Sequence, residues 1–282
     1  MSHPSVSLPS IVFSDLDGTL IDDDKNLPPL CREALDELYA QGIPFVPCTG
    51  RVISAIPDEI LHHPAVTYAI SAAGVLISDV TSMEVVQEWP MRKEDARMLF
   101  DAAQDRDVIF DIFERQTIWS SCERLSHISE IGLAPGDEQL VLASRTPTDT
   151  PLDQVIQELP VVDRVSIYWK DPQDRDALAA LIEKTPTLAW TCSHMHNMEI
   201  LSAGANKGVA LKWLCDFVGA DVAQSWAFGD STNDIEMLEA AGHSFVTANA
   251  TPDALRAAQH VIGTNNDGGV GAHLLSVLKS VV

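Results

Sequence analysis

Short apolar runs alternate with segments of helical period at both ends of the chain. The apolar run at residues 11–13 is followed by a helix predicted over about 29–40, which ends at Gly42, and then by the apolar run 43–48. Residues 67–71 are predicted to form a third strand of the same type. Near the other end, "GANKGVALKWLCDFVGA" and "NDIEMLEAAG" are predicted helices, and "SWAF" and "HSFVTA" are predicted strands. Uninterrupted apolar strands are typical of sheets covered on both faces, so the pattern predicts a largely parallel sheet with helices on its faces.

A different pattern occupies the middle of the chain. Short strand-like runs ("DVIFDIF", "QTIWS", "QLVLA" and "RVSIYW") lie between helical stretches such as "KEDARMLFDAAQ" and "RDALAALIEK". Eleven of the 18 lysines and arginines lie in residues 84–190, which leaves seven in the other 175 residues. We therefore predict a core made of residues 1–83 and 191–282, and an inserted α+β domain of residues 84–190 that has a different task.

The composition excludes several classes of partner. The 282 residues carry 18 Lys and Arg against 41 Asp and Glu, and a net charge of −23 repels nucleic acid and anionic lipid surfaces. No apolar run approaches the roughly 20 residues needed to span a bilayer, and the opening "MSHPSVSLPS" lacks the basic and apolar parts of a signal peptide. Five widely spaced cysteines form no CxxC pair. We expect a cytoplasmic protein with reduced thiols.

Polar side chains follow three of the predicted strands at the points where the strands end. In an open α/β sheet, ligands bind in the crevice beyond the carboxyl ends of the strands. Several carboxylates in one crevice raise each other's pKa unless a cation holds them ionised, and all-oxygen ligands are those that Mg²⁺ prefers. Hydroxyl and cationic groups beside them would suit the oxygens of a transferring phosphoryl group. The residues in these positions are Asp15 and Asp17, then Thr49, Gly50 and Arg51, then Asp230, Asn233 and Asp234, with Lys207 at the start of a helix.

Four short motifs in this order resemble those of the haloacid dehalogenase superfamily. They are "DLDGT" at 15–19, "TGR" at 49–51, Lys207 in "NKG", and "GDSTND" at 229–234. The insert between the second and third motifs further resembles the Cof-type phosphatases, which carry a large α+β cap. Each motif stands at a predicted strand end or helix start, so chance agreement of all four is improbable. The resemblance implies a Rossmann-like core with an inserted cap that closes over the crevice and selects the leaving group.

The resemblance also implies roles for single residues. Asp15 would be the nucleophile that forms an aspartyl-phosphate, and Asp17 would be the general acid and base. Asp15, the backbone carbonyl of Asp17, and Asp230 would hold Mg²⁺. The remaining motif residues would bind the phosphoryl group (Thr49, Gly50 and Lys207) or support the site (Arg51, Asn233 and Asp234).

Three further sets of residues are assigned from the sequence with less support. Cof-type relatives usually show Asn-Gly-Ala after the third strand, whereas this chain has "SAAG", so Ser71 offers a hydroxyl in place of an amide. Asn197 and Glu199 are candidate substrate contacts because they precede the return to the core. Asp22, Asp23 and Asp24 follow the first motif and are expected to be solvated turn residues.

The expected function is Mg²⁺-dependent hydrolysis of a small phosphate monoester, such as a sugar phosphate. Two alternatives stay open at this point. A phosphomutase shares the aspartyl-phosphate step, and the eleven basic residues of the insert would suit the phosphate that it leaves in place. A non-catalytic sensor of phosphorylated metabolites would keep the fold without turnover, although intact Asp15 and Asp17 argue against it.

Overall fold

A computed structural model describes residues 8–193 and 196–280 of the chain. The described strands are β1 (Ile11–Ser14), β2 (Phe45–Pro47), β3 (Tyr68–Ser71), β4 (Leu76–Asp79), β5 (Val85–Glu88), β6 (Val108–Glu114), β7 (Thr117–Ser121), β8 (Thr146–Thr148), β9 (Arg164–Trp169), β10 (Leu188–Thr191), β11 (Asn197–Ser202), β12 (Ser225–Gly229), β13 (His243–Thr247) and β14 (His260–Ile262). The described α helices are α1 (Pro29–Ala40), α2 (Asp58–Leu61), α3 (Lys93–Ala103), α4 (Cys122–Leu125), α5 (Pro135–Ser144), α6 (Leu152–Glu158), α7 (Pro172–Glu183), α8 (Lys207–Val218), α9 (Ile235–Ala240), α10 (Pro252–Ala257) and α11 (Gly269–Leu278).

The chain divides into two compact units. The first unit consists of the described residues up to Thr49, the range Ile56–Val86, and the described residues from Asn206 onward. The second unit takes Gly50–Ala55 and Gln87–Ala205. None of the helices in the described part of the chain combines the length and the apolar character that crossing a bilayer requires.

A five-stranded parallel sheet forms the centre of the first unit. Its strand order is β14-β13-β12-β1-β2, and all four residues of β1 are buried, as expected for a strand covered on both faces. Ser14 pairs with Phe228 on β12 and with Pro47 on β2, so the three strands end at the same edge. The predicted parallel α/β fold is therefore confirmed, and the first, second and fourth motifs leave the sheet side by side.

The third predicted strand forms, but it does not join the five-stranded parallel sheet, where it was expected. β3 pairs antiparallel with β4 in a three-stranded sheet, β3-β4-β5, and an isolated parallel bridge joins Ile70 of β3 to Cys48, the residue after β2. The chain reverses directly after β3 because Ala72, Ala73 and Gly74 all have positive φ, at 50°, 61° and 97°. A reversal this tight favours an antiparallel partner, whereas a parallel partner needs a long crossover.

The second unit is an antiparallel sheet with helices packed on it. The strand order is β10-β11-β9-β6-β7-β8, and β7 and β8 are its one parallel pair among the described strands. A large apolar core joins α3, α6 and α7 to one face of this sheet, through residues such as Leu99, Ile156 and Leu178. The predicted α+β class of the insert is confirmed.

Two details of the second unit differ from the sequence interpretation. "QLVLA", residues 139–143, was expected as a strand and forms the second half of α5, because a short apolar run does not by itself distinguish strand from helix. Pro135 at the first position and Asp137 and Glu138 in the first turn are the helix signals that decide it. The unit also extends past residue 190 to Ala205, because β11 pairs with β9 on one side and β10 on the other.

Candidate active site

A tight turn after β1 places the first two aspartates. The Asp15 amide donates to the carbonyl of Phe228 at 2.9 Å, which continues the pairing with β12, and the Asp15 side chain is buried. The carbonyl of Leu16 then accepts the amides of Thr19, Leu20 and Ile21. The chain therefore turns sharply within the motif, with its carboxylates at the sheet edge.

Gly18 permits this turn to approach the fourth motif. Its φ is +79°, and a Cβ added there would lie 2.5 Å from Oδ2 of Asp230. Both the left-handed conformation and the lack of space require glycine. Thr19, the next residue, donates its hydroxyl to Oδ1 of Asp230 at 2.7 Å, so the two motifs are joined by a direct hydrogen bond.

Lys207 is the cation of the site. It is the first residue of α8, and the Asn206 side chain caps this helix by accepting the amide of Val209 at 2.7 Å. The Lys207 ammonium is fully buried and lies 2.6 Å from Oδ1 of Asp15 and 2.6 Å from Oδ1 of Asp234. Burial alone would lower the pKa of Lys207, but the two carboxylates outweigh it and raise this pKa above its ordinary value.

Asp230 and Asp234 have different surroundings. Oδ2 of Asp234 accepts the backbone amides of Asp230 and Ser231, each at 3.0 Å, while its Oδ1 binds Lys207. Burial, with the Asp234 charge next, raises the pKa of Asp230 to about 7. Burial also raises the pKa of Asp15 well above its usual value, against the opposing effect of Lys207. Asp15 is thus a buried carboxylate and Asp230 a partly buried one, and added positive charge beside them would favour their ionised forms.

A divalent cation fits this arrangement. One carboxylate oxygen from each of Asp15, Asp230 and Asp234 lies within 4.8 Å of the others. Because Lys207 and two amides already bind the Asp234 carboxylate, Asp15 and Asp230 are the better candidates for side-chain ligands of a metal. Oδ1 of Asn233 is buried without a hydrogen-bond partner in the described part of the chain, so one more oxygen is available to a metal-bound water. Such an all-oxygen set suits Mg²⁺.

The second motif lies across the boundary between the units. Thr49, in the first unit, is buried; its amide donates to Ile70 and its carbonyl accepts the amide of Ala73, both at 2.9 Å. Gly50 and Arg51 belong to the second unit. There the Gly50 carbonyl accepts from Arg164 at 2.8 Å, and the Arg51 guanidinium donates to the carbonyl of Ala55 at 2.8 Å.

The three candidate substrate residues are all buried. The hydroxyl of Ser71 has no hydrogen-bond partner among the described residues, and the positive φ of Ala72 follows it. Glu199 forms a buried ion pair with Arg164 at 3.3 Å in the second unit, and Asn197 donates to the Ser193 hydroxyl at 3.1 Å. Their roles in binding substrate stay predictions.

The sequence interpretation missed contacts made by the residues after the first motif. The Lys25 ammonium lies 3.0 Å from Oδ1 of Asp17. Asp22 is partly buried and accepts a hydrogen bond from the Asn26 amide, whereas Asp23 is exposed, as expected, but also accepts hydrogen bonds from Asn265 and Asn266. The signal was present in the spacing of Asp22 and Asn26, since an Asx side chain often caps a backbone amide in a turn. Asp24 is exposed, as expected.

A family model for haloacid dehalogenase-like hydrolases matches residues 12–274, which is almost the whole chain. The chain belongs to this family. The resemblance predicted from the four motifs is confirmed, and the protein is a hydrolase of the haloacid dehalogenase type.

Named relatives cover this hydrolase over nearly its full length. A Bacillus subtilis protein named 5-amino-6-(5-phospho-D-ribitylamino)uracil phosphatase YwtE is 28% identical over 290 residues, which cover 94% of this chain and 96% of the relative. A haloacid dehalogenase-like hydrolase from B. subtilis matches the fold with a TM-score of 0.82 at 23% identity, covering 94% of this chain and 98% of that one. The subclass IIB sugar phosphatase BT4131 matches with a TM-score of 0.80 at 16% identity, covering 97% of this chain and 100% of that one.

Proposed function

We propose that this hydrolase is a Mg²⁺-dependent phosphatase that acts on a small phosphate monoester through a phosphorylated Asp15. The observation that carries the proposal is the pairing of Asp15 with Lys207: one oxygen of a buried carboxylate at a strand end is held 2.6 Å from a buried ammonium. Nucleophilic attack on phosphorus requires a fixed, ionised carboxylate; Lys207 fixes Asp15, and a bound Mg²⁺ would add the positive charge that favours its ionised form. Mg²⁺, held by Asp15, Asp230 and the Asp17 carbonyl, would supply positive charge to the phosphoryl oxygens.

The proposed reaction has two steps. In the first, a carboxylate oxygen of Asp15 forms a bond to phosphorus, the ester P–O bond breaks, and Asp17 donates its proton to the leaving oxygen. In the second, Asp17 takes a proton from a water molecule as that water attacks the phosphorus, and the Asp15–phosphorus bond breaks to release inorganic phosphate. Lys207 holds Asp15 in place and offers its charge to the phosphoryl group, and Asp234 orients Lys207.

The proposed substrate class is a small phosphorylated metabolite with a polyol or sugar leaving group. Two of the similar proteins support it: YwtE is named for a phosphorylated ribityl compound, and BT4131 is called a sugar phosphatase. Ser71, Asn197 and Glu199 remain the proposed substrate contacts, and the second unit the proposed source of specificity.

Phosphate release from a panel of monoesters tests the proposal. We expect release with Mg²⁺, loss of release with EDTA, and no release by Asp15→Asn. Asp24→Asn is the matched control, since it removes an exposed carboxylate from the same segment and should leave the rate unchanged. Mg²⁺-dependent release of phosphate by the Asp15→Asn variant would contradict the proposed nucleophile. Release of phosphate by the wild type without Mg²⁺ would contradict the proposed requirement for the metal.

The ion pairs of the second unit favour a phosphatase over the phosphomutase alternative. Nine of the eleven basic residues in 84–190 each form an ion pair with an Asp or Glu side chain, so their positive charge is already partly neutralised. Few are then left to hold a second phosphate. A mutase would instead convert a sugar phosphate to its isomer with little free phosphate, which chromatography of the panel products would detect. A non-catalytic sensor would bind panel compounds without turnover.

A further inference from the structure

The segment after the first motif is a closed turn that presents a lysine. The Asp22 amide donates to the carbonyl of Asn26, the Lys25 amide donates to the carbonyl of Asp22, and Oδ1 of Asp22 accepts the Asn26 amide at 2.7 Å. Lys25 sits in the left-handed region, with a φ of 65°. A lysine rarely adopts this conformation, so the surrounding contacts must hold it there.

Asp23 attaches this turn to the loop after β14. Its Oδ1 accepts from Asn265 at 3.0 Å and its Oδ2 from Asn266 at 2.9 Å, while its amide donates back to the Asn266 side chain at 3.0 Å. Asn265 is buried and also donates to the carbonyl of Ile21 at 3.1 Å. Three hydrogen bonds therefore join Asp23 to this loop and attach the turn to it.

The same loops also hold the first motif. The Asn265 amide donates to the Asn249 side chain at 3.1 Å, and Asn249 donates to the carbonyl of Gly18 at 2.8 Å. The turn with Lys25 and the turn with Asp17 are therefore anchored to one network of asparagine side chains. Their relative position is fixed by the fold and does not depend on the flexibility of a free surface loop.

We propose that Lys25 is a positioning residue for Asp17. Its ammonium lies 3.0 Å from Oδ1 of Asp17, and both side chains are about three quarters buried, at 25% and 21% exposure. Holding one carboxylate oxygen in this way limits the rotation of the Asp17 side chain and so fixes where its carboxyl group lies. The inference rests on the proposed role of Asp17 as the acid that protonates the leaving group.

The alternative is an ion pair that only stabilises the turn. The two readings differ in which substrates are affected. Loss of a positioned acid slows the reaction of a substrate with a basic leaving group, and has little effect on a substrate whose leaving group departs as a stable anion. Distortion of the turn slows the reaction of every substrate. Two probes of similar size separate the cases: benzyl phosphate has an alkoxide leaving group, and p-nitrophenyl phosphate has a weakly basic phenolate.

The experiment measures kcat/KM for both probes at saturating Mg²⁺ in the full chain. Lys25→Met is expected to lose about tenfold on benzyl phosphate and less than about twofold on p-nitrophenyl phosphate, and Lys25→Arg to recover most of the loss. Lys212→Met, an exposed lysine of the first unit, is the matched control and should change neither rate. An equal loss on both probes, or no loss, would overturn the proposal.

A double-mutant cycle with Asp17→Asn completes the test. If Lys25 acts through Asp17, Lys25→Met has no further effect on benzyl phosphate once Asp17 is Asn. The same loss in both backgrounds would show a role independent of Asp17 and overturn the inference while leaving the proposed function intact. If Asp17→Asn itself lowers both probes equally, the proposed acid role of Asp17 fails, and the inference fails with it.

Discussion

Replacing Lys207 by Met tests whether one ammonium neutralises two buried carboxylates. The substitution keeps a long unbranched side chain but removes the charge that lies 2.6 Å from both Asp15 and Asp234. In metal-free buffer the two carboxylates then face each other with oxygens within 4.8 Å. At an effective dielectric constant of about 20, two unit charges at this distance repel by roughly 3 kcal/mol.

This repulsion is part of the cost of breaking a buried ion pair by removing one partner, which is commonly about 3–5 kcal/mol in total. We therefore expect Lys207→Met to lower the free energy of unfolding of the first unit by about 3–5 kcal/mol in EDTA. Asp234→Asn in the same background should restore about 3 kcal/mol, because it removes the repulsion. The loss should be larger near pH 8 than near pH 6, because a carboxylate that takes up a proton escapes the repulsion.

Urea unfolding followed by tryptophan fluorescence measures this quantity. Trp226 is a suitable reporter, since it is fully buried on β12, the strand that leads to Asp230. Lys212→Met controls for loss of any lysine from α8, because Lys212 is exposed. A loss below about 1 kcal/mol for Lys207→Met, or a double variant as unstable as the single one, would refute the assignment of Lys207 as the shared counter-ion.

Three other substitutions have defined expected outcomes. Gly18→Ala should weaken Mg²⁺ binding at least about tenfold, measured by calorimetry, because the added Cβ displaces Asp230. Gly42→Ala is the control, since Gly42 also has a positive φ, of 69°, but open space around it, and this variant should bind Mg²⁺ normally. Burial raises the pKa of Asp163 to about 6, so the wild-type fold loses stability as pH rises and this buried carboxyl must ionise. The free energy of unfolding of Asp163→Asn, measured relative to wild type by urea unfolding, should therefore increase by about 2 kcal/mol from pH 4.5 to pH 7. A difference between variant and wild type that does not change with pH would contradict this. Asn206→Ala should lose about 1 kcal/mol of unfolding free energy by removing a helix cap, and Asn206→Asp should retain the cap and the stability.

Local sequence signals were enough for the elements around the site. Pro29–Ala40 and Lys207–Val218 form helices where predicted, and Gly219 closes the second of them with a φ of 74°. Asp15 and Asp230 follow apolar strands, and because the strands are parallel neighbours, adjacency of the two motifs followed from the general rule for α/β sheets.

The pairing of strands that are distant in sequence could not be predicted as well from local signals. The antiparallel partner of β3 depends on three consecutive residues with positive φ, two of which are alanines that give no local sign of that conformation. The strand β11 belongs to the second unit because of its neighbours β9 and β10, and strand pairing is a property of partners distant in sequence.

The five aspartates of residues 15–24 show where the division lies. The sequence by itself determined that Asp15 and Asp17 stand at a strand end in a haloacid dehalogenase motif, because motif and strand are both local patterns. Only the tertiary structure decided that Asp23 holds a turn against Asn265 and Asn266, about 240 residues away, and that this turn brings Lys25 to Asp17. The physical reason is that a hydrogen bond or ion pair between distant segments depends on how the whole sheet and its loops are arranged, and no short stretch of sequence records that arrangement.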